Sequence, residues 1–122
     1  MDYLSTRDKT LALSAAEAIK MGLSRDGGLF TPARFPSISP LELEAMCEMS
    51  YQQRCAYVMG LFLDDFTPEE VSDFALRAYG PEKFDDPAVA PLRRVGGKTW
   101  CLELWHGPTS AFKDMALQML PQ

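Results

Sequence analysis

Apolar and polar positions alternate along this chain in two rhythms, one helical and one strand-like. Three pieces of the helical rhythm open with a Ser or Thr followed three residues later by Glu, the capping-box pattern. These are "SAAE" at 14–17, "SPLE" at 39–42 and "TPEE" at 67–70. Gly22 is placed to stop the first helix. Pro40 sits at the first helical position of the second. Beyond it Tyr51, Cys55, Val58, Met59 and Phe62 recur at a helical period. Val71, Phe74, Ala75, Ala78 and Tyr79 form an apolar stripe that Gly80-Pro81 ends. Asp26-Gly27-Gly28 reads as a tight turn before a short extended piece at Leu29 to Thr31.

The rhythm changes after residue 87. Val89 to Val95 and Lys98 to Trp105 read as two strands joined by a Gly96-Gly97 turn. Trp100, Leu102 and Leu104 then share one face, and Cys101, Glu103 and Trp105 the other. A last helix is expected after Pro108, with Thr109 as its cap and Phe112, Met115, Ala116, Met119 and Leu120 as its buried stripe. The predicted order is short strand, helix, short strand, three helices, hairpin, helix. This is an α+β unit, mostly helical in its first three-quarters.

Composition narrows the function classes. The 122 residues are 47% hydrophobic and 24% charged, the balance of a globular domain with a modest core. A net charge of −5 argues against a nucleic-acid partner. No apolar run reaches membrane-spanning length, and the first ten residues lack a secretory layout. Cys47, Cys55 and Cys101 are an odd set without CxxC spacing, which predicts free thiols in a reducing cytoplasm. One histidine and no close cysteine pair give no basis for a zinc site.

Candidate chemistry concentrates in "LELWHGPTSAFKDMALQML", residues 102–120. In an ideal helix Lys113 falls beside Leu120, at the edge of the apolar stripe and in the first turn. Asp114 falls on the opposite side, where the helix dipole suits it. A helix N-terminus and apolar neighbours both disfavour an ammonium, so both act to lower a lysine pKa. A neutral amine attacks an aldehyde to form a Schiff base. The same helix end favours an anion, so a phosphate-bearing aldehyde such as pyridoxal 5'-phosphate suits the place. A surface lysine that merely occupies the first turn satisfies the same position. The "DGG" at 26–28 lacks the spacing of a phosphate loop. Glu103 reads as a solvated or loop-pairing strand residue. The acidic run from Asp64 to Asp86 reads as a solvated face.

The residues around Lys113 go further. "ELWHGPTSAFKDMALQ" resembles the cofactor-lysine motif of the threonine synthase family, His-Gly-Pro-Thr, one variable residue, then Ala-Phe-Lys-Asp. "YLSTRD" and "LSAAEAIKMGLSRDGGLFTP" are similar to that family's amino terminus. Residues 40–90 match only in helical layout, and the "MALQML" ending departs from members with a glycine-rich stretch there. The resemblance implies a tryptophan-synthase β-like fold and conversion of O-phospho-L-homoserine and water to L-threonine and phosphate. It makes Lys113 the lysine that holds pyridoxal phosphate and shuttles protons. It also brings forward His106 near the cofactor, Phe112 stacked on the ring, and Thr109 and Ser110 on substrate or phosphate. Each has a plainer reading: His106 bonding the loop backbone, Phe112 in the core, Thr109 capping the helix.

The family's chains are several times longer. The expectation is therefore an amino-terminal domain over 1–92 followed at 93–122 by the first strand and helix of a truncated α/β cofactor domain. Such a fragment, expected to be inactive alone, lacks the glycine-rich phosphate cradle and most substrate contacts. Its final helix is a surface for self-association. A stand-alone interaction module descended from that domain is the alternative reading.

Overall fold

The computed structural model describes all 122 residues. Ten elements follow in order: β1 (Tyr3–Ser5), β2 (Ala12–Leu13), α1 (Ala15–Met21), β3 (Phe30–Pro32), α2 (Pro40–Cys47), α3 (Tyr51–Gly60), α4 (Pro68–Ala78), β4 (Leu92–Gly96), β5 (Thr99–Leu102) and α5 (Asp114–Leu117). The first three strands form an antiparallel sheet in the order β2-β1-β3, and β4 pairs with β5. No helix is long and apolar enough to cross a membrane.

All three expected capping boxes are formed, at Ser14/Glu17, Ser39/Glu42 and Thr67/Glu70. Each satisfies two backbone donors that a helix start otherwise leaves unpaired, worth about 1 kcal/mol. A fourth, Ser50/Gln53, opens α3 and separates it from α2. Its signal, Ser-x-x-Gln, is present at 50–53 in the sequence. The boxes also reach across elements. Glu42 accepts the Tyr57 hydroxyl at 2.7 Å, tying α2 to α3. The Ser39 and Tyr57 hydroxyls together hold the Glu42 carboxyl down to about 2.

The acidic run is more than a solvated face. Asp65 accepts the Ala16 backbone N–H at 2.8 Å and so helps to cap α1 from the α3–α4 loop. Asp64 pairs with the amino terminus. Asp86 accepts from Arg93 at 2.9 Å. The "DGG" segment is a turn, as expected. Gly27 has φ +76°, and a side chain on Gly28 would collide with the Ser5 hydroxyl. That hydroxyl donates to Asp26, which also accepts the Gly28 N–H at 2.8 Å.

Two small apolar clusters hold the helices. One gathers Ala15, Leu63 and Val71, with Met59 and Phe66 packed against it. The other gathers Ala78, Tyr79, Phe84 and Val89, flanked by Tyr51, Cys55, Met115 and Met119. The α4 stripe supplies both, because Val71, Ala75 and Ala78 recur at i, i+4, i+7.

The chain from Val89 onward departs from the prediction in three ways. Val89 is buried at φ +60° in a turn, so β4 starts later, at Leu92. Gly96 pairs with Thr99, which moves the hairpin turn one residue on, to Gly97-Lys98. The long final helix is replaced by turns around a single four-residue helix. A 3.6-residue period cannot hold through those turns, so the expected stripe splits. Met115 and Met119 are half-buried on the Tyr79 cluster, whereas Phe112 and Leu120 are 67% and 65% exposed.

Tyr79 fastens the last segment to the helices, its hydroxyl donating to the Met115 carbonyl at 2.6 Å. Burial pushes its phenol pKa well up, so it stays a neutral donor at all moderate pH. Tyr79→Phe is expected to cost about 1–2 kcal/mol, because it removes the only donor on that buried ring. Thermal unfolding of the variant checks this, and an unchanged midpoint would contradict it.

Candidate functional site

The site begins at the base of the hairpin. β5 ends at Leu102, and the chain continues without regular structure through Glu103 to His106 before it turns after Gly107. His106 is clamped between two carboxylates. Its Nδ1 lies 2.6 Å from Asp85, and its Nε2 lies 2.9 Å from Glu103. Its carbonyl accepts the Asp85 N–H at 3.1 Å. Glu103 also faces the Arg93 guanidinium at 3.7 Å. Glu103 is thus the loop-pairing residue, and His106 ties the loop after α4 to the base of the hairpin. Hydrogen bonds donated to Glu103, and then to Asp85, raise the His106 pKa above its ordinary value.

From Gly107 the chain makes a closed loop onto Asp114. The Asp114 carboxylate accepts the Thr109 backbone N–H at 2.8 Å, and the Thr109 hydroxyl lies 3.0 Å from each of its oxygens. Asp114 is fully buried, contrary to its expected position on the solvent side. Thr109 is therefore no helix cap. It is the donor, and the acceptor is the aspartate five residues on. Asp114 packs so tightly beneath Gly107 that a Cβ on that glycine would stand 2.5 Å from the Asp114 Cβ. Within the loop Ser110 adopts φ +56°, the left-handed region that costs a residue with a side chain about 1 kcal/mol or more. The loop geometry holds it there.

Lys113 follows on this frame. It occupies the N-cap position of α5 with φ −60°, and its carbonyl accepts from Ala116 at 3.0 Å and Leu117 at 2.8 Å. Its side chain is exposed, and no carboxylate pairs with it. It does not border a buried stripe, since Phe112 and Leu120 are exposed. The backbone of the lysine is fixed and its amine is free.

The five candidates thus separate. Thr109 and His106 have polar groups committed to protein partners. Ser110, Phe112 and Lys113 present exposed side chains on the loop. An apolar cleft of about 610 Å³ lies elsewhere, between α3, α4 and the last segment. Ten of its eleven lining residues are hydrophobic, among them Met59, Phe66, Phe74 and Met115, and Lys113 is not one of them. It holds no charged group to receive a phosphate.

The comparisons with known proteins bear on the whole chain. A family model described as "Threonine synthase N terminus" matches residues 2–79. The chain belongs to the threonine synthase family. The threonine synthase of Pseudomonas aeruginosa is 38% identical over 121 residues, covering 98% of this chain and 25% of that protein. Among solved structures, a PLP-bound threonine synthase from Brucella melitensis superposes with a TM-score of 0.92 at 36% identity, covering 98% of this chain and 26% of that one. The yeast threonine synthase gives 0.88 at 35% identity, covering 98% and 25%. The chain therefore spans about a quarter of the length of the threonine synthases it matches.

The His106 clamp is pH-dependent. Its folded-state pKa is raised, so its stabilising contribution is complete below the ordinary value of 6.5 and fades as pH climbs through the folded value. An imidazole NMR titration should give a midpoint above 6.5, and His106→Gln should remove that segment of the stability–pH curve. A midpoint at or below 6.5 would contradict the clamp. Gly107→Ala is expected to destabilise by about 1–3 kcal/mol through the collision with Asp114, as read by urea denaturation.

Proposed function

We propose that this chain is the amino-terminal part of a threonine synthase, which converts O-phospho-L-homoserine and water to L-threonine and phosphate. The observation that carries the reading is Lys113, an exposed, unpaired amine on a fixed backbone within "HGPTSAFKD", in a chain similar throughout to threonine synthases. Residues 1–92 form the amino-terminal domain. Residues 93–122 begin an α/β cofactor domain. The exposed apolar side chains of the hairpin and loop, Leu92, Val95, Trp100, Leu102 and Phe112, support this, since such a surface packs against further protein.

Lys113 fits pyridoxal phosphate as its covalent holder. The loop beside it offers the phosphate little, because the Thr109 N–H and hydroxyl are engaged by Asp114. When bound, the cofactor supplies an electron sink for bond changes along the substrate carbons. The Lys113 Nζ would hold the cofactor through its aldehyde carbon. When free of the cofactor, the same Nζ would move protons at the substrate carbons as base and acid. Phe112 offers an exposed ring next to it in the chain, and the exposed Ser110 hydroxyl is available to a polar substrate group. The phosphate and ring-nitrogen partners lie outside these 122 residues, which by themselves make no threonine. Alone, they associate through the exposed apolar residues of the hairpin and final segment.

In a chain carrying the remaining three-quarters, borohydride reduction with pyridoxal phosphate should place the adduct on Lys113. Lys113→Ala should abolish threonine formation. An adduct mapping to another lysine, or threonine made by the 122 residues alone, would refute the reading.

A further inference from the structure

We infer that Asp114 is a positioning residue for Lys113, acting through Thr109 and the closed loop between them; the inference rests on the cofactor-lysine reading above. A carboxylate that is fully buried usually answers a cation, and no lysine or arginine pairs with this one. Its partners are the N–H and hydroxyl of Thr109. Residues 109 and 114 are thereby pinned to each other, and the intervening turn is drawn tight. Ser110 N–H donates to the Gly107 carbonyl at 3.1 Å, and Asp114 N–H donates to Ala111 at 3.0 Å. The glycine at 107 gives the room that lets the aspartate sit beneath the turn.

Lys113 lies inside this clasp, next to its anchor, and its carbonyl is held from the other side by Ala116 and Leu117. Its peptide is thus constrained on both flanks, while the four-carbon arm remains mobile. This arrangement suits an amine that must return to one reacting carbon after each displacement, because a fixed origin limits where the arm can reach. The loop has few other fastenings. Within these 122 residues Phe112 and Lys113 are exposed, so their own side chains add no packing to the clasp.

The test compares Asp114→Asn, Thr109→Val and Thr109→Ser in the full chain. After brief exposure to limiting pyridoxal phosphate and borohydride, the adduct on Lys113 is quantified by mass relative to exposed Lys98 on the hairpin turn. Trypsin cleavage after Lys113 is followed in parallel without cofactor. Asp114→Asn and Thr109→Val should lower the Lys113-to-Lys98 ratio by roughly tenfold or more and hasten the cleavage. Thr109→Ser, which keeps the hydroxyl, should restore both. General unfolding would raise cleavage at many sites and level the two lysines, a different pattern. If Asp114→Asn fails to fold, Thr109→Val decides, since Thr109 is an exposed residue. Unchanged labelling and cleavage in folded variants would overturn the inference while leaving the cofactor reading intact. Absence of Lys113 labelling in the unaltered chain would overturn the cofactor reading, and the trypsin comparison would still decide whether the clasp fixes the loop.

Discussion

The hydrogen bond from the Tyr79 hydroxyl to the Met115 carbonyl joins the two halves of this molecule. Tyr79 stands at the end of α4, where four neighbours meet it. Its ring lies edge-on to Tyr51 at 5.1 Å and tilted against Phe84 at 5.6 Å. Its carbonyl accepts the Gln52 amide at 2.6 Å. The Tyr79 ring carries one polar group, its hydroxyl, and that is spent on the last segment. With only fifteen residues buried, the chain has no large core to hold its ends together. The geometry around Lys113 therefore depends on this tie, on the packing of Met115 and Met119 around it, and on the His106 clamp at the base of the hairpin.

Local chemistry explains why much of this was legible beforehand. Capping boxes act within four residues, so Ser14, Ser39 and Thr67 announced their helices without tertiary information. The α4 stripe was readable because an eleven-residue helix keeps one phase. The final segment was not, and the reason is specific. Its apolar residues have helical spacing, but Asp114 competes for Thr109 and closes a loop where a helix would have begun. A buried aspartate has no signature in a hydrophobicity pattern, which places every carboxylate outside. The available signal was the Gly107, Thr109, Asp114 set: a glycine with room beneath it, and a donor and acceptor one loop apart. Asp65 and Ser50 fall outside the Ser/Thr-x-x-Glu signal for different reasons: the Asp65 contact spans 49 residues, and the Ser50 box carries Gln where the other three carry Glu.

The motif residues divide by what they touch. In the family resemblance His106, Thr109, Ser110, Phe112 and Lys113 all belonged to one chemical site. The structure binds the polar groups of His106 and Thr109 to protein partners and leaves Ser110, Phe112 and Lys113 on the surface. A motif of nine residues thus holds both the side chains offered to ligands and the scaffold that holds them. The scaffold is polar because a short loop over a small core has too little apolar surface to fix it by packing.

If the two halves form one cooperative body through Tyr79, the last segment should not open before α4 does. Native-state hydrogen exchange in increasing denaturant tests this directly. The account predicts that the Leu117 amide, bonded to the Lys113 carbonyl, merges into the same unfolding isotherm as the Tyr79 amide bonded to Ala75. Exchange of Leu117 through a separate, much easier opening would show that the lysine loop is not fixed by the helices, and would contradict the account.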